Sequence, residues 1–224
     1  MTAPAAGWPS SGSLKVNEIF HSVQGESRHA GRPCVFVRLT ACNLRCTWCD
    51  TAYAFEQGEE MPQADILERI AGYGTRYVLL TGGEPLLQLQ VHRLIAELLE
   101  RGYEVGIETG GSLDVAPLDR RVTIILDLKC PGSGMQDHNL WTNIERLKAT
   151  DEVKFVLADR RDYEWAREVI ARYGLLERCG VLLSPVHGEL SPRSLAEWML
   201  TDALAARLQM QIHKYIWPPG TRGV

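Results

Sequence analysis

From Pro33 onward, short apolar runs alternate with longer segments whose apolar residues recur at helical spacing. Val35 to Leu39, Tyr77 to Leu80, Tyr103 to Ile107, Val122 to Leu126, Val153 to Leu157 and Gly180 to Leu183 are rich in aliphatic and β-branched residues. Runs of that length and composition predict buried strands. Gln209 to Tyr215 is a candidate for one more. The intervening segments predict helices. Ile66, Leu67 and Ile70 form one stripe, and Val91, Leu94, Ile95, Leu98 and Leu99 form a clearer one. Leu140 to Leu147, Tyr163 to Tyr173 and Leu195 to Leu200 supply others. Gly102 reads as a helix stop, and Ser191-Pro192 as a helix start. Strands alternating with amphipathic helices imply an α/β fold with a helix-covered parallel sheet. A closed eightfold barrel typically needs about 250 residues. The 224 residues present fit better a partial, open (β/α) barrel of six to seven mainly parallel strands. In such a fold, chemistry gathers where strands end and the following loops begin.

Residues 1–13 are rich in Ala, Pro, Gly and Ser without apolar periodicity, and read as a mobile tail. Residues 14–217 then form a single domain, and residues 218–224 a C-terminal tail. No internal repeat is visible. A hydrophobic share of 45% against 23% charged is that of a globular chain, which argues against disorder. A net charge of −4 gives no basic footprint, so direct nucleic-acid binding is not expected. No apolar run has the ~18 residues of a membrane span, and no secretory leader pattern opens the chain. These features point to a cytoplasmic protein.

Of the six cysteines, Cys42, Cys46 and Cys49 fall in one short loop with the spacing C-x3-C-x2-C, directly after a predicted strand. That clustering suggests a metal centre rather than disulfides. A structural zinc site needs four protein ligands, and only one C-x2-C pair is present, so Cys130 or a histidine would have to complete it. A four-iron cluster held by three thiolates would leave one iron open to a small molecule. Cys34 and Cys179 border strands and read as small apolar residues.

Other polar residues collect at predicted strand ends. Thr81-Gly82-Gly83-Glu84-Pro85 places two glycines where backbone approaches a ligand, followed by an acceptor suited to an ammonium group. Glu108-Thr109-Gly110-Gly111, Asp127-Leu128-Lys129 and Ser184-Pro185-Val186-His187 end later strands. Each alone reads equally as a turn, a salt-bridged pair or a structural histidine. Near the N-terminus, Gln24 and Glu26 flank Gly25 and offer an amide and a carboxylate to the edge of a guanine-like ring. Arg38 is placed to bind a carboxylate in bidentate fashion.

The cysteine loop, with Trp48 before its last cysteine, resembles the radical S-adenosylmethionine (SAM) superfamily, and Gly82-Gly83-Glu84-Pro85 resembles its GGEP motif. The resemblance implies a 4Fe-4S cluster on Cys42, Cys46 and Cys49, with SAM chelating the open iron. It assigns SAM contacts to Gly83, Glu84, Glu108, Thr109, Asp127, Leu128, Lys129 and the segment Ser184, Pro185, Val186, His187. Together with Cys49-Asp50-Thr51 and His213-Lys214-Tyr215, the Val23 to Ser27 segment is similar to the 7-carboxy-7-deazaguanine synthase family of queuosine and deazapurine biosynthesis.

That family resemblance implies a lyase acting on 6-carboxy-5,6,7,8-tetrahydropterin with loss of ammonia. A 5′-deoxyadenosyl radical would abstract hydrogen, and the ring would then contract. The pterin would be bound by Val23, Gln24, Gly25, Glu26, Arg38, Thr81 and Pro219. Thr51 would be a ligand of Mg2+. A homodimer and a one-electron reductant such as flavodoxin or ferredoxin are also implied. Two features depart from the pattern. Ser27 stands where the family often has glycine, so the loop is expected to turn differently. The chain also continues to Val224, whereas relatives often stop near Pro219, so the tail either stays mobile or closes the pocket. Two other classes stay open on the sequence: an activating enzyme for a glycyl-radical protein, sharing the cysteine loop and GGEP motif, and a zinc-stabilised binding module without catalysis.

Overall fold

The structure is a computed structural model and describes residues 12–224. The expected N-terminal tail lies outside the described residues except for Gly12 and Ser13, and Ser13 already opens a strand. The strands are β1 (Ser13–Val23), β2 (Pro33–Leu39), β3 (Glu59–Pro62), β4 (Tyr77–Gly82), β5 (Glu104–Thr109), β6 (Thr123–Leu128), β7 (Glu152–Leu157), β8 (Gly180–Pro185) and β9 (Arg207–Leu208). They form one open sheet in the order β3-β1-β2-β4-β5-β6-β7-β8-β9. From β2 to β9 every pairing is parallel, while β1 runs antiparallel to both β2 and β3. The helices are α1 (Gln63–Gly72), α2 (Val91–Glu100), α3 (Arg160–Tyr173), α4 (Leu175–Arg178), α5 (Pro192–Thr201) and α6 (His213–Ile216).

The expected open α/β fold is present, with four differences. β1 did not read as a strand because its register shifts between Val16 and Glu18, which breaks the alternation of its apolar residues. β3 is only four residues of Glu, Met and Pro, too short to carry a pattern. The strand expected over Gln209 to Tyr215 does not form. β9 ends at Leu208, and His213–Ile216 is a helical turn instead. Leu140 to Leu147, expected as a helix, is a 3-10 turn over Trp141–Arg146.

Alternation along the strands separates two faces. Val35, Val37 and Leu39 of β2, Val78 and Leu80 of β4, Val105 and Ile107 of β5, and Val153, Phe155 and Leu157 of β7 join one apolar core. That core also takes the buried stripes of α1, α2 and α3. The opposite face carries a smaller cluster of Phe20, Cys34, Phe36, Tyr77, Leu79 and Ile125, in which the Phe20 and Phe36 rings stack at 4.8 Å. Beyond it, at the C-terminal strand ends, the same face turns polar: Arg38, Thr81, Glu108, Asp127 and Lys154 all line one cavity. The parallel registers bring Arg38 beside Thr81 and Asp127 beside Lys154.

Candidate active site

The cavity has a volume of about 520 Å³, within the range usual for small-molecule sites. The three clustered cysteines, the Val23 to Glu26 segment, Arg38, Thr51, Thr81, Gly83, Glu108, Thr109, Asp127, Lys129, Val186, His187 and Pro219 all reach its wall. Glu84, Leu128, Ser184 and Pro185 do not. Leu128 falls on the outer side of β6 and packs into the helix-covered core.

Backbone contacts fix the cysteine loop at both ends. The Glu84 amide donates to Ala41 O at 2.7 Å, and the Gly83 amide to Leu39 O at 3.2 Å. A Cβ on Gly83 would stand 2.0 Å from Ala41 O. The sequence suggested that these glycines admit a ligand; the close approach they permit is to the strand entering the cysteine loop. The Thr47 amide donates to Ser133 O at 3.1 Å, and the Trp48 ring packs against Gly132. The turn after β6 therefore carries the far end of the loop.

Glu84 also differs from expectation. It is fully buried, and a buried carboxylate needs several donors. It accepts hydrogen bonds from Thr109 Oγ1 at 2.8 and 2.9 Å, from the Gly110 amide at 2.8 Å and from the Leu86 amide at 3.0 Å. Burial pushes its carboxyl above the ordinary value, against those donors. Its side chain ties the β4 loop to the end of β5 rather than standing at the cavity surface.

Desolvation pushes the Cys42 thiol up to about 11 and raises Cys46. Cluster assembly on this loop must therefore displace protons. Among the described residues, no three His, Cys, Asp or Glu side chains draw together as ligands of one metal ion. Cys130, the fourth thiol a zinc knot would use, is buried with its Sγ 3.9 Å from Leu128 O. A 4Fe-4S cluster asks less of the loop, because each thiolate binds a different iron. Three thiols at one cavity wall, beside buried acceptor atoms without partners, fit such a cluster with a polar ligand next to it.

Two carboxylate oxygens, Glu26 Oε1 and Asp127 Oδ1, are buried without a hydrogen-bond partner. Their second oxygens are held by lysines. Lys154 Nζ lies 2.8 Å from Glu26 Oε2, and Lys129 Nζ 3.0 Å from Asp127 Oδ2. Lys154 also pairs with Glu108. Burial opposes both ammonium charges, but the carboxylates about Lys154, and Asp127 with the Cys46 sulfur about Lys129, outweigh it and raise both lysines above their ordinary value. Arg38 Nε donates to Glu18 Oε1 at 2.7 Å, where the Tyr53 hydroxyl also donates at 2.9 Å. That is the one side-chain hydrogen bond of Arg38 among the described residues; its guanidinium otherwise lies over the Phe20 and Tyr53 rings, at 5.8 and 5.9 Å.

Lys154, Glu18 and Tyr53 were not singled out by sequence reasoning. The signal for Lys154 was present: a lysine within the apolar run Val153 to Leu157. His213 was quoted only as part of a motif. Here the Ile212 amide donates to Gly25 O at 3.0 Å, and a Cβ on Gly25 would fall 2.0 Å from His213 Nδ1. Gly25 is thus the point where the N-terminal loop meets α6. Lys214 Nζ reaches Asp50 Oδ2 at 2.9 Å and ties α6 to the cysteine loop. Residues 218–224 fold back along the cavity. Arg222 lies 3.7 Å over the Tyr53 ring and donates to Gln57 Oε1 at 3.1 Å.

Residues 37–132 match the family model of the radical SAM superfamily. A 7-carboxy-7-deazaguanine synthase of Chlorobaculum tepidum is 46% identical over 218 residues, covering 94% of this chain and 97% of that protein. The chain belongs to the 7-carboxy-7-deazaguanine synthase family. Its counterpart in Koribacter versatilis is 42% identical and covers 94% of this chain and all of that one. The crystal structure of QueE from Escherichia coli superposes with a TM-score of 0.73 at 26% identity, covering 88% of this chain and 93% of that chain. In this family setting, Ser27 is informative. Its backbone is left-handed, with φ of 64°, and its side chain is fully buried. Glycine adopts that backbone most readily, and Ser27 Oγ accepts from the His29 amide at 3.1 Å. No helix among the described residues is long and apolar enough to cross a membrane.

Proposed function

We propose that this chain is a radical SAM carbon–nitrogen lyase that converts 6-carboxy-5,6,7,8-tetrahydropterin to 7-carboxy-7-deazaguanine with loss of ammonia. The observation that carries the reading is one cavity wall bearing three thiols, a guanidinium whose terminal nitrogens have no hydrogen bond among the described residues, and buried carboxylate oxygens without partners among them. Cys42, Cys46 and Cys49 would hold the 4Fe-4S cluster. Gly83, Glu108, Thr109, Asp127, Lys129, Val186 and His187 would border SAM. When bound, the cluster and SAM supply the one-electron chemistry that starts ring contraction by removing a hydrogen atom from the substrate.

The residues of this chain do the positioning. Arg38, with Nε committed to Glu18, would present its terminal nitrogens to the substrate carboxylate. Glu26 Oε1 would accept from a ring N–H, with Gln24 beside it and Thr81 at the neighbouring strand end. Phe20, Phe36 and Leu79 floor the cavity with apolar surface, suited to the flat face of the ring. Thr51 Oγ1 lies 3.8 Å from Cys49 Sγ and would serve as one oxygen ligand of a Mg2+ ion, which leaves most of the shell to substrate and water. Pro218 to Val224 would cover the bound pterin. A homodimer and a flavodoxin- or ferredoxin-type reductant complete the proposal. Neither the glycyl-radical activating enzyme nor the zinc module is favoured, because the curated relatives over nearly the whole chain are 7-carboxy-7-deazaguanine synthases.

The test is equilibrium binding to the SAM-loaded protein without reductant. The carboxypterin should bind at least about tenfold tighter than the same ring lacking its carboxylate, the worth of one charge-assisted hydrogen-bond pair. Arg38→Met should erase that preference. Equal affinity for both ligands in the wild type would contradict the assignment of Arg38.

A further inference from the structure

Lys154 is the buried cation that the proposed chemistry leaves without a role. Alternation in β7 sends Val153, Phe155 and Leu157 into the helix-covered core and turns Lys154 and Val156 to the cavity. The lysine is only 5% exposed. Its ammonium group meets three carboxylates from three parts of the chain: Glu26 after β1, Glu108 at the end of β5 and Asp127 at the end of β6. The separations are 2.8 Å to Glu26 Oε2 and 3.6 Å to Asp127 Oδ2. No local contact brings these groups together; Glu26 lies 128 positions from Lys154.

A buried ammonium group is retained only where it is paired, and the pairing fixes both partners. Here it consumes Glu26 Oε2 and leaves Glu26 Oε1 buried with no partner. Such an orphaned oxygen in a folded protein calls for an explanation, and this one belongs to a residue of the cavity wall. Asp127 is the most distant of the three, and its Oδ2 is shared with Lys129 at 3.0 Å.

We propose that Lys154 is a positioning residue for the substrate ring: it clamps Glu26 against Glu108 so that Glu26 Oε1 faces the cavity as an acceptor for a ring N–H. This rests on the pterin-binding reading above. Without Lys154, Glu26 and Glu108 would stand as two like charges across a shared gap. One would turn away or hold a proton. The other charged or titratable groups about the clamp are Asp127 and Lys129 from β6 and its loop, His213 and Lys214 from α6, Asp50 from the cysteine loop and Arg38 from β2.

The experiment measures the Kd of 6-carboxytetrahydropterin on the cluster- and SAM-loaded protein without reductant, for wild type, Lys154→Met and Lys154→Arg. Lys154→Met should weaken pterin binding at least about tenfold and SAM binding by clearly less, with iron content unchanged. Lys154→Arg should restore part of the affinity. The double variant Lys154→Met with Glu108→Gln, which removes the uncompensated charge and so protects folding, should still bind the pterin weakly. Wild-type affinity in Lys154→Met or in the double variant would overturn the proposal. So would equal losses for SAM and pterin. Failure of the wild type itself to bind the pterin would instead overturn the function it rests on.

Discussion

Gly83→Ala tests how the cysteine loop is held. The added Cβ would stand 2.0 Å from Ala41 O, where ordinary contact begins at 3.4 Å. The two backbones must therefore separate by more than an ångström. The neighbouring atom is a carbonyl oxygen, so no side chain can rotate away. Overpacking of this kind costs about 1–3 kcal/mol. Separation also stretches the Gly83-to-Leu39 and Glu84-to-Ala41 hydrogen bonds, each worth about 1 kcal/mol. The sum is about 3–5 kcal/mol, which for a chain of this size lowers Tm by about 6–20 °C. The displaced segment leads directly into Cys42, so cluster retention should fall with it. Thermal unfolding of the apo protein and iron and sulfide content after anaerobic reconstitution are the assays. A Gly83→Ala protein with unchanged Tm and a full cluster would refute the reasoning.

Ser27 should show unequal effects in two substitutions. Ser27→Gly relieves a left-handed residue but gives up the hydrogen bond to the His29 amide, so stability should stay within about 1 kcal/mol. Ser27→Ala keeps the strain and loses the bond, and should cost about 1 kcal/mol or more; urea unfolding distinguishes the pair, and equal losses would count against this account. Burial opposes ionisation of Asp50, but Lys214 outweighs it and lowers the carboxyl below its ordinary 3.8. The Asp50–Lys214 tie is therefore intact above about pH 4 and is lost as the pH falls through the folded-state value. Limited proteolysis after α6 should accelerate there in the wild type, and at neutral pH already in Lys214→Met.

The central strands were legible because each is a short apolar run between glycines and helical stripes. The cysteine loop and the Gly-Gly-Glu-Pro turn were legible because their spacing is local. What escaped the sequence is long-range. The bulge in β1 hides a strand whose Leu14, Val16 and Phe20 are buried. Glu84 looked like a ligand residue, but its donors Thr109 and Gly110 come from the next strand end. Lys154 carried a signal, a charge within an apolar strand, but its partners Glu26 and Glu108 are fixed only by the sheet order. The α6 segment reads as a strand by composition. It folds as a helical turn, with the Ile212 amide bonded to Gly25 and Lys214 to Asp50.

The most direct measurement is an anaerobic reaction of the cluster-loaded protein with SAM, Mg2+, a one-electron reductant and 6-carboxy-5,6,7,8-tetrahydropterin, with the product identified by mass. The account predicts 7-carboxy-7-deazaguanine, lighter than the substrate by one ammonia, formed over many turnovers without matching loss of SAM. It also predicts no product and no brown colour for Cys46→Ala. A wild-type protein that carries its cluster, cleaves SAM and leaves the pterin unchanged would contradict it.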